Sequence, residues 1–143
     1  MKTVIQRVTH AKVEVEGKTV GEIGKGFLIL AGFTHGDTEA DCIRIAKKIS
    51  GLRIFSDEND KINLSLNDVG GEILCISQFT LYADCTHGNR PSFVNAAPPA
   101  EAEPLYDFFC RELEKYVRTE KGIFGADMKV SLLNDGPFTV VIE

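Results

Sequence analysis

A chain of 143 residues has the length of one compact domain, and 43% apolar with 26% charged residues is a globular composition. The net charge of −5 comes from 16 basic and 21 acidic residues, with the basic ones scattered, which argues against a broad face tracking a long nucleic acid and leaves room for a short contact. No run approaches the ~18 apolar residues of a membrane span, and Lys2 precedes only Val4 and Ile5, too little for a secretory leader, so a cytoplasmic chain without a membrane partner is expected.

The first third reads as strands. Val4, Val8, Val13 and Val15 alternate roughly with polar residues, Gly17-Lys18 gives a turn, and Thr19–Ile23 returns as a hairpin partner. Phe27–Ala31 is a continuous apolar run, suited to a strand covered on both faces. A helix follows, capped by Thr38 with Asp41 (Asp37 is the alternative cap), striped by Cys42, Ile45, Ala46 and Ile49, and ended by Gly51. Leu52–Phe55 reads as a short strand, Ser56–Asn63 as a polar loop, and Gly70-Gly71 separates Leu64–Val69 from a strong strand, Glu72–Phe79.

The Gly-, Asn- and Pro-rich segment 83–104 is expected to wrap the surface. A second helix starts near Pro98-Pro99 and Glu101, with Leu105, Phe108, Phe109, Leu113, Tyr116 and Val117 as its core stripe. The last strands are Met128–Leu133 and Phe138–Ile142, joined by Asn134-Asp135-Gly136-Pro137. The order βββαβββαββ implies one α+β domain spanning 1–143, its largely antiparallel, barrel-like sheet curling around two main helices.

No metal or cofactor is expected. Of the four cysteines, Cys42, Cys75 and Cys110 read as small buried hydrophobes, while Cys85 with His87 lacks the partners of a tetrahedral site. His10, His35 and His87 stand singly, and Gly24-Lys25-Gly26 lacks the spacing of a phosphate-binding loop. Arg7 is either a surface charge or a brace for a neighbouring carbonyl cluster.

Two polar islands interrupt apolar strands. Ser77-Gln78-Phe79-Thr80-Leu81 is either a strand end turning to solvent or a pocket offering N–H groups and the Thr80 hydroxyl to a polar substrate. No Asp/His pair lies at a recognisable offset to make Thr80 a nucleophile. Asn134-Asp135-Gly136-Pro137-Phe138-Thr139 is either a plain hairpin loop or a rigid gate made of main chain.

Taken together, the whole chain resembles the D-aminoacyl-tRNA deacylases. The likeness rests on Val4-Ile5-Gln6-Arg7-Val8, Ser77-Gln78-Phe79-Thr80-Leu81-Tyr82, Asn89-Arg90-Pro91-Ser92-Phe93 and Asn134 to Thr139. The defining positions of both islands match; Ala83 follows Tyr82 where many members carry Gly. The resemblance implies a homodimer that hydrolyses the ester of D-aminoacyl-tRNA at the tRNA acceptor end, and also releases glycine mischarged on alanine tRNA. It assigns Phe79 and Thr80 to the scissile ester, Ser77 and Gln78 to the pocket wall, and Arg7 to fixing the Gly136-Pro137 motif. That motif, cis and inserted into the other subunit, would exclude an L side chain. Two other readings stay open: an RNA-end binding module without turnover, and a small hydrolase of D-amino acid esters that needs no RNA.

Overall fold

The structure, a computed structural model, describes residues 1–143. Its sheet is organised on β1 (Lys2–Val15), a strand long enough to take three antiparallel partners. On one edge, Lys2–Val8 pairs β3 (Gly26–Gly32) and Ala11–Val15 pairs β2 (Lys18–Ile23). The other edge runs against β8 (Lys129–Ile142). β6 (Glu72–Ser77) joins β3 in parallel, and β7 (Thr119–Lys121) joins β6 in parallel. The α+β fold, with a mixed, nearly closed, barrel-like sheet, is therefore as the sequence implies, with a parallel half added to its antiparallel one. The cause is topological. α1 (Glu39–Ser50) and α3 (Pro99–Glu114) are the crossovers between β3, β6 and β7, and a helical crossover returns the chain in parallel.

Each sheet face has its own core. Ile5, Phe27, Ile29, Ala31, Ile73 and Cys75 meet Ile45, Ile49, Phe109 and Leu113 of the helices. The alternate residues Leu28, Leu74 and Ile76 pack with Val8, Ala11, Val13 and Ile23 inside the curl. The continuous apolar reading of Phe27–Ala31 thus has its reason: β3 is buried on both sides. The expected cap of α1 also forms, the Asp41 carboxylate accepting the Thr38 N–H at 2.8 Å. That bond holds the Asp41 carboxyl below its usual range. Asp37, the alternative cap, instead pairs with the Met1 amine at 2.6 Å and accepts the Thr34 N–H at 2.7 Å.

Five expectations are corrected. The short strand after Gly51 is Phe55–Ser56 (β4), and it pairs with β5 (Ile62–Leu64) where a polar loop was expected. Leu66–Val69 is a one-turn helix, α2, capped by Ser65. β7 is a strand of three polar residues with no apolar signal in its sequence. The buried stripe of α3 runs through Ala102, Tyr106, Phe109, Cys110 and Leu113; Tyr116 and Val117 lie beyond the helix end. Tyr106 is buried because its hydroxyl donates to Cys75 O at 2.7 Å, which removes the penalty on an unpaired phenol. Fifth, residues 129–142 are one strand, with no hairpin at 134–137.

The closest approach in the sheet is at Gly26, paired with Glu72, where a Cβ would sit 1.8 Å from the Glu72 carbonyl oxygen. Gly26→Ala is expected to separate β3 from β6 at that point and destabilise the fold by about 3 kcal/mol or more, read by denaturant unfolding.

Candidate active site

At the end of β6 the chain breaks from the sheet. Gln78 donates its N–H to Ala31 O at 2.8 Å, the last link to β3, and residues Phe79–Tyr82 then turn into a single 3-10 turn, η1. Gly32 permits this, since a Cβ there would lie 2.9 Å from Gln78 O and 3.1 Å from Leu81 Cβ. Leu81 N–H and Ala83 N–H bond back to Gln78 O and Thr80 O, and Phe79 and Thr80 open the turn, where their N–H groups have no partner within the turn itself. The first turn of any helix leaves such donors free. The Gln78 side chain donates to Thr80 Oγ1 at 2.5 Å, which orients the hydroxyl and leaves its own proton available.

Ser77, Gln78 and Phe79 line a cleft of about 570 Å³. Its floor is Ile76 and Val130, and its walls are Ala97, Pro98, Ala102 and Phe124. Phe79, 53% exposed, packs edge-on against Phe93 at 5.0 Å, and both rings stand on the rim. The cleft is thus mostly apolar, with polar main chain at one end, a usual composition for a small-molecule site. Tyr82 beside it is pushed up to about 12 by burial, so its phenol stays neutral under the 5.1 Å approach of Lys2.

The second polar island is built on the opposite edge of β1. Gln6 faces Thr139 and Val8 faces Asn134, so Arg7 alone stands opposite the whole of Asp135 to Phe138. The surplus residues loop out of the ladder as a bulge. Arg7, 12% exposed, fills its root: Nε donates to Asp135 O at 2.9 Å, Nη1 donates to Ile54 O at 2.7 Å, and the guanidinium lies 4.8 Å over the Phe138 ring. Arg7 is therefore the carbonyl brace of the two sequence readings. Asn134 closes the base, accepting the Phe138 N–H at 2.8 Å and donating to Thr139 Oγ1 at 3.0 Å. Gly136 has φ +144° and the Gly136–Pro137 bond is cis, as the resemblance implies. Both residues are exposed at the tip.

Within one chain the two islands do not meet. Gly136, Pro137 and Arg7 are absent from the cleft lining, and so is Thr80. Arg7 is level with Phe27 and Ile73, while Ser77 lies four residues beyond Ile73, and the bulge is three strands from β6. At the usual strand spacings that is about 13 Å along and about 14 Å across. The sequence reading had not singled out the structural roles of Asn134, Thr139 and Ile54, nor Phe93 and Phe124 as cleft residues. The spacing of Asn134 and Thr139 around Gly-Pro was the available signal for the first two; single aromatics in polar segments gave none for the others.

The cysteines fall as read. Cys42, Cys75 and Cys110 are buried and Cys85 is exposed. Burial pushes Cys42 up to about 12 and Cys75 well above the ordinary thiol range, so neither offers a thiolate nucleophile.

The comparisons with known proteins agree with this architecture. The family described as D-Tyr-tRNA(Tyr) deacylase matches residues 4–143. A D-aminoacyl-tRNA deacylase of Pelobacter propionicus is 57% identical over 144 aligned positions, covering 100% of this chain and 99% of the relative. That of Lactobacillus acidophilus is 56% identical with the same coverage. Among solved structures, a c-Myc DNA unwinding element binding protein aligns with TM-score 0.94 at 42% identity, over 100% of this chain and 98% of that one. A probable eukaryotic D-amino acid tRNA deacylase, at 18% identity, shares the fold with TM-score 0.84, over 99% and 97% of the two chains. The chain belongs to the D-aminoacyl-tRNA deacylase family, hydrolases acting on the ester that joins an amino acid to tRNA.

Arg7→Ala should leave Asp135 O and Ile54 O without their donors, lowering stability by about 1–3 kcal/mol. Amide exchange should rise more at Phe138 than at Leu28 and Leu74, which report only the global loss; a rise at Phe138 no larger than theirs would remove Arg7 as the anchor of the bulge.

Proposed function

We propose that this chain is a chiral proofreader that hydrolyses D-aminoacyl-tRNA and spares the L ester. The observation that carries the reading is the break after β6: Ser77, Gln78 and Phe79 line one end of a mostly apolar cleft, and the Thr80 hydroxyl next in the chain is held by the Gln78 side chain. An aminoacyl ester is already activated. Its hydrolysis needs a positioned water and donors for the developing oxyanion more than a strong nucleophile. The adjacent ribose hydroxyl of the substrate would help activate that water, which fits a site with no Ser/His/Asp set. Ser77 and Gln78 would shape the pocket around the ester.

Chirality would be enforced by a second copy of the chain. Two such chains paired as a homodimer would let the exposed Gly136-Pro137 tip of one cover the cleft of the other, with Arg7 holding the tip in place. The main chain of that tip would collide with an L side chain and leave a D side chain pointing outward. Glycine has no side chain to reject, so glycine mischarged on alanine tRNA would also be released. Only the acceptor end of tRNA need dock, which suits a chain of net charge −5 acting in the cytoplasm on a polyanion.

The test follows acid-precipitable counts of labelled D-tyrosyl-tRNA and L-tyrosyl-tRNA with purified protein. Rapid loss of the D ester alone is expected. Thr80→Ala should slow it about tenfold or more, the scale of one lost transition-state hydrogen bond. Pro137→Ala should lower the D-over-L ratio at least tenfold, about 1.4 kcal/mol. Binding of tRNA with no release of amino acid would favour the alternative of a nucleic-acid binding module, a reading prompted by the binding protein whose structure aligns at 42% identity.

A further inference from the structure

The loop from Asp84 to Asn95 carries the Asn89-Arg90-Pro91-Ser92-Phe93 run, to which neither island gives a role. We propose that Arg90, at the tip of this loop, docks a phosphate of the polynucleotide strand leading into the cleft. The inference rests on the deacylase reading of that cleft and names how its substrate is held.

Three observations carry it. First, Arg90 is the arginine without a partner. Arg7 and Arg53 bond carbonyl oxygens, Arg44 and Arg118 pair with carboxylates, and Arg111 lies over the Phe108 ring; Arg90 is exposed and touches none of these. Second, its loop is built as a fixed arm. Asp84 and Ser92 exchange both backbone hydrogen bonds at 2.8 and 2.9 Å, and Thr34 Oγ1 donates to Asn95 O at 2.5 Å. His35 Nε2 lies 2.9 Å from Val94 O, and Phe93 reaches the cleft rim against Phe79. The base of the loop is thus tied down on both sides of Arg90, and the planar fork of its guanidinium matches phosphate.

Third, the far side of the cleft is unfavourable to a polyanion. At Pro99 the cleft adjoins a groove lined by Glu39, Glu103 and Asp107 against Arg111, with Lys121 paired to Asp107 at 3.0 Å. Phosphates leaving over that groove would meet a surplus of carboxylates. The 84–95 loop, which reaches the rim through Phe93 and carries Arg90 three residues earlier, is the side that offers a cation. A single local cation on the loop that reaches the rim also suits a chain of net charge −5 whose basic residues are scattered along the sequence.

The test compares wild type, Arg90→Ala, Arg90→Lys and a control, Lys18→Ala at the start of β2, by fluorescence titration with uncharged tRNA at several salt concentrations. Arg90→Ala should weaken binding about tenfold, the scale of one charge-assisted hydrogen bond. The slope of log Kd against log salt should fall by about 0.7 to 1, one phosphate's share. Arg90→Lys should restore the slope, and Lys18→Ala should match wild type. In turnover, Arg90→Ala should raise KM for D-tyrosyl-tRNA without lowering kcat, and leave D-tyrosyl-adenosine, which has no phosphate, untouched. Wild-type affinity and slope in Arg90→Ala, or equal losses on both esters, would overturn the proposal. If wild type hydrolyses neither ester, the deacylase reading fails, and the tRNA titration alone still decides for or against Arg90.

Discussion

Arg7 stands opposite the whole Asp135–Phe138 segment of β8, and the exposed Gly136-Pro137 tip depends on how that mismatch is held. An unanchored excursion from a strand would be a floppy loop. Here the guanidinium donates to Asp135 O at its root and to Ile54 O across the sheet, while its plane lies over the Phe138 ring. Asn134 and Thr139 tie the two ends together. The Gly136-Pro137 tip therefore projects at a fixed place from the rigid central strand. Removing a partner from such a network leaves unmatched polar groups, so it fails as a unit.

The cleft uses a complementary economy. Its polar end lies at Ser77, Gln78 and Phe79, where the chain breaks from the ladder into the turn that carries Thr80. Fixed N–H groups need no reorganisation as charge develops, and an apolar surround strengthens their effect. The same division suits the family's reaction: an activated ester needs holding more than attacking. The Gly136-Pro137 tip is separate from the cleft of its own chain.

Much of this was legible in the sequence. The period of Val4 to Val15, the apolar run Phe27–Ala31 and the Thr38–Asp41 cap gave β1, β3 and α1 because each rests on local pattern. The bulge was not legible as a bulge. Asn, Asp, Gly and Pro are turn residues, and composition cannot say whether a turn reverses the chain or leaves it running along the same neighbour. β7 was hidden because Thr119, Glu120 and Lys121 are polar and gain strand structure only from β6 beside them. Tyr106 was passed over in the stripe of α3 because its burial depends on a tertiary partner, Cys75 O. The residues of both islands were found from sequence; their separation within one chain depends on strand order, which no local pattern carries.

The central claim is that the cleft of one chain works with the Gly136-Pro137 tip of another, and mixing mutant subunits tests it most directly. Thr80→Ala and Pro137→Ala proteins are each assayed alone, then unfolded together, refolded as a mixture and assayed for D-specific hydrolysis. If the tip acts across subunits, a mixed dimer contains one cleft with neither mutation, and activity with D-over-L selectivity should return in the mixture. If both islands of a cleft came from the same chain, every cleft would carry one defect. The mixture would then show only the average of its two parents, and the account would be contradicted.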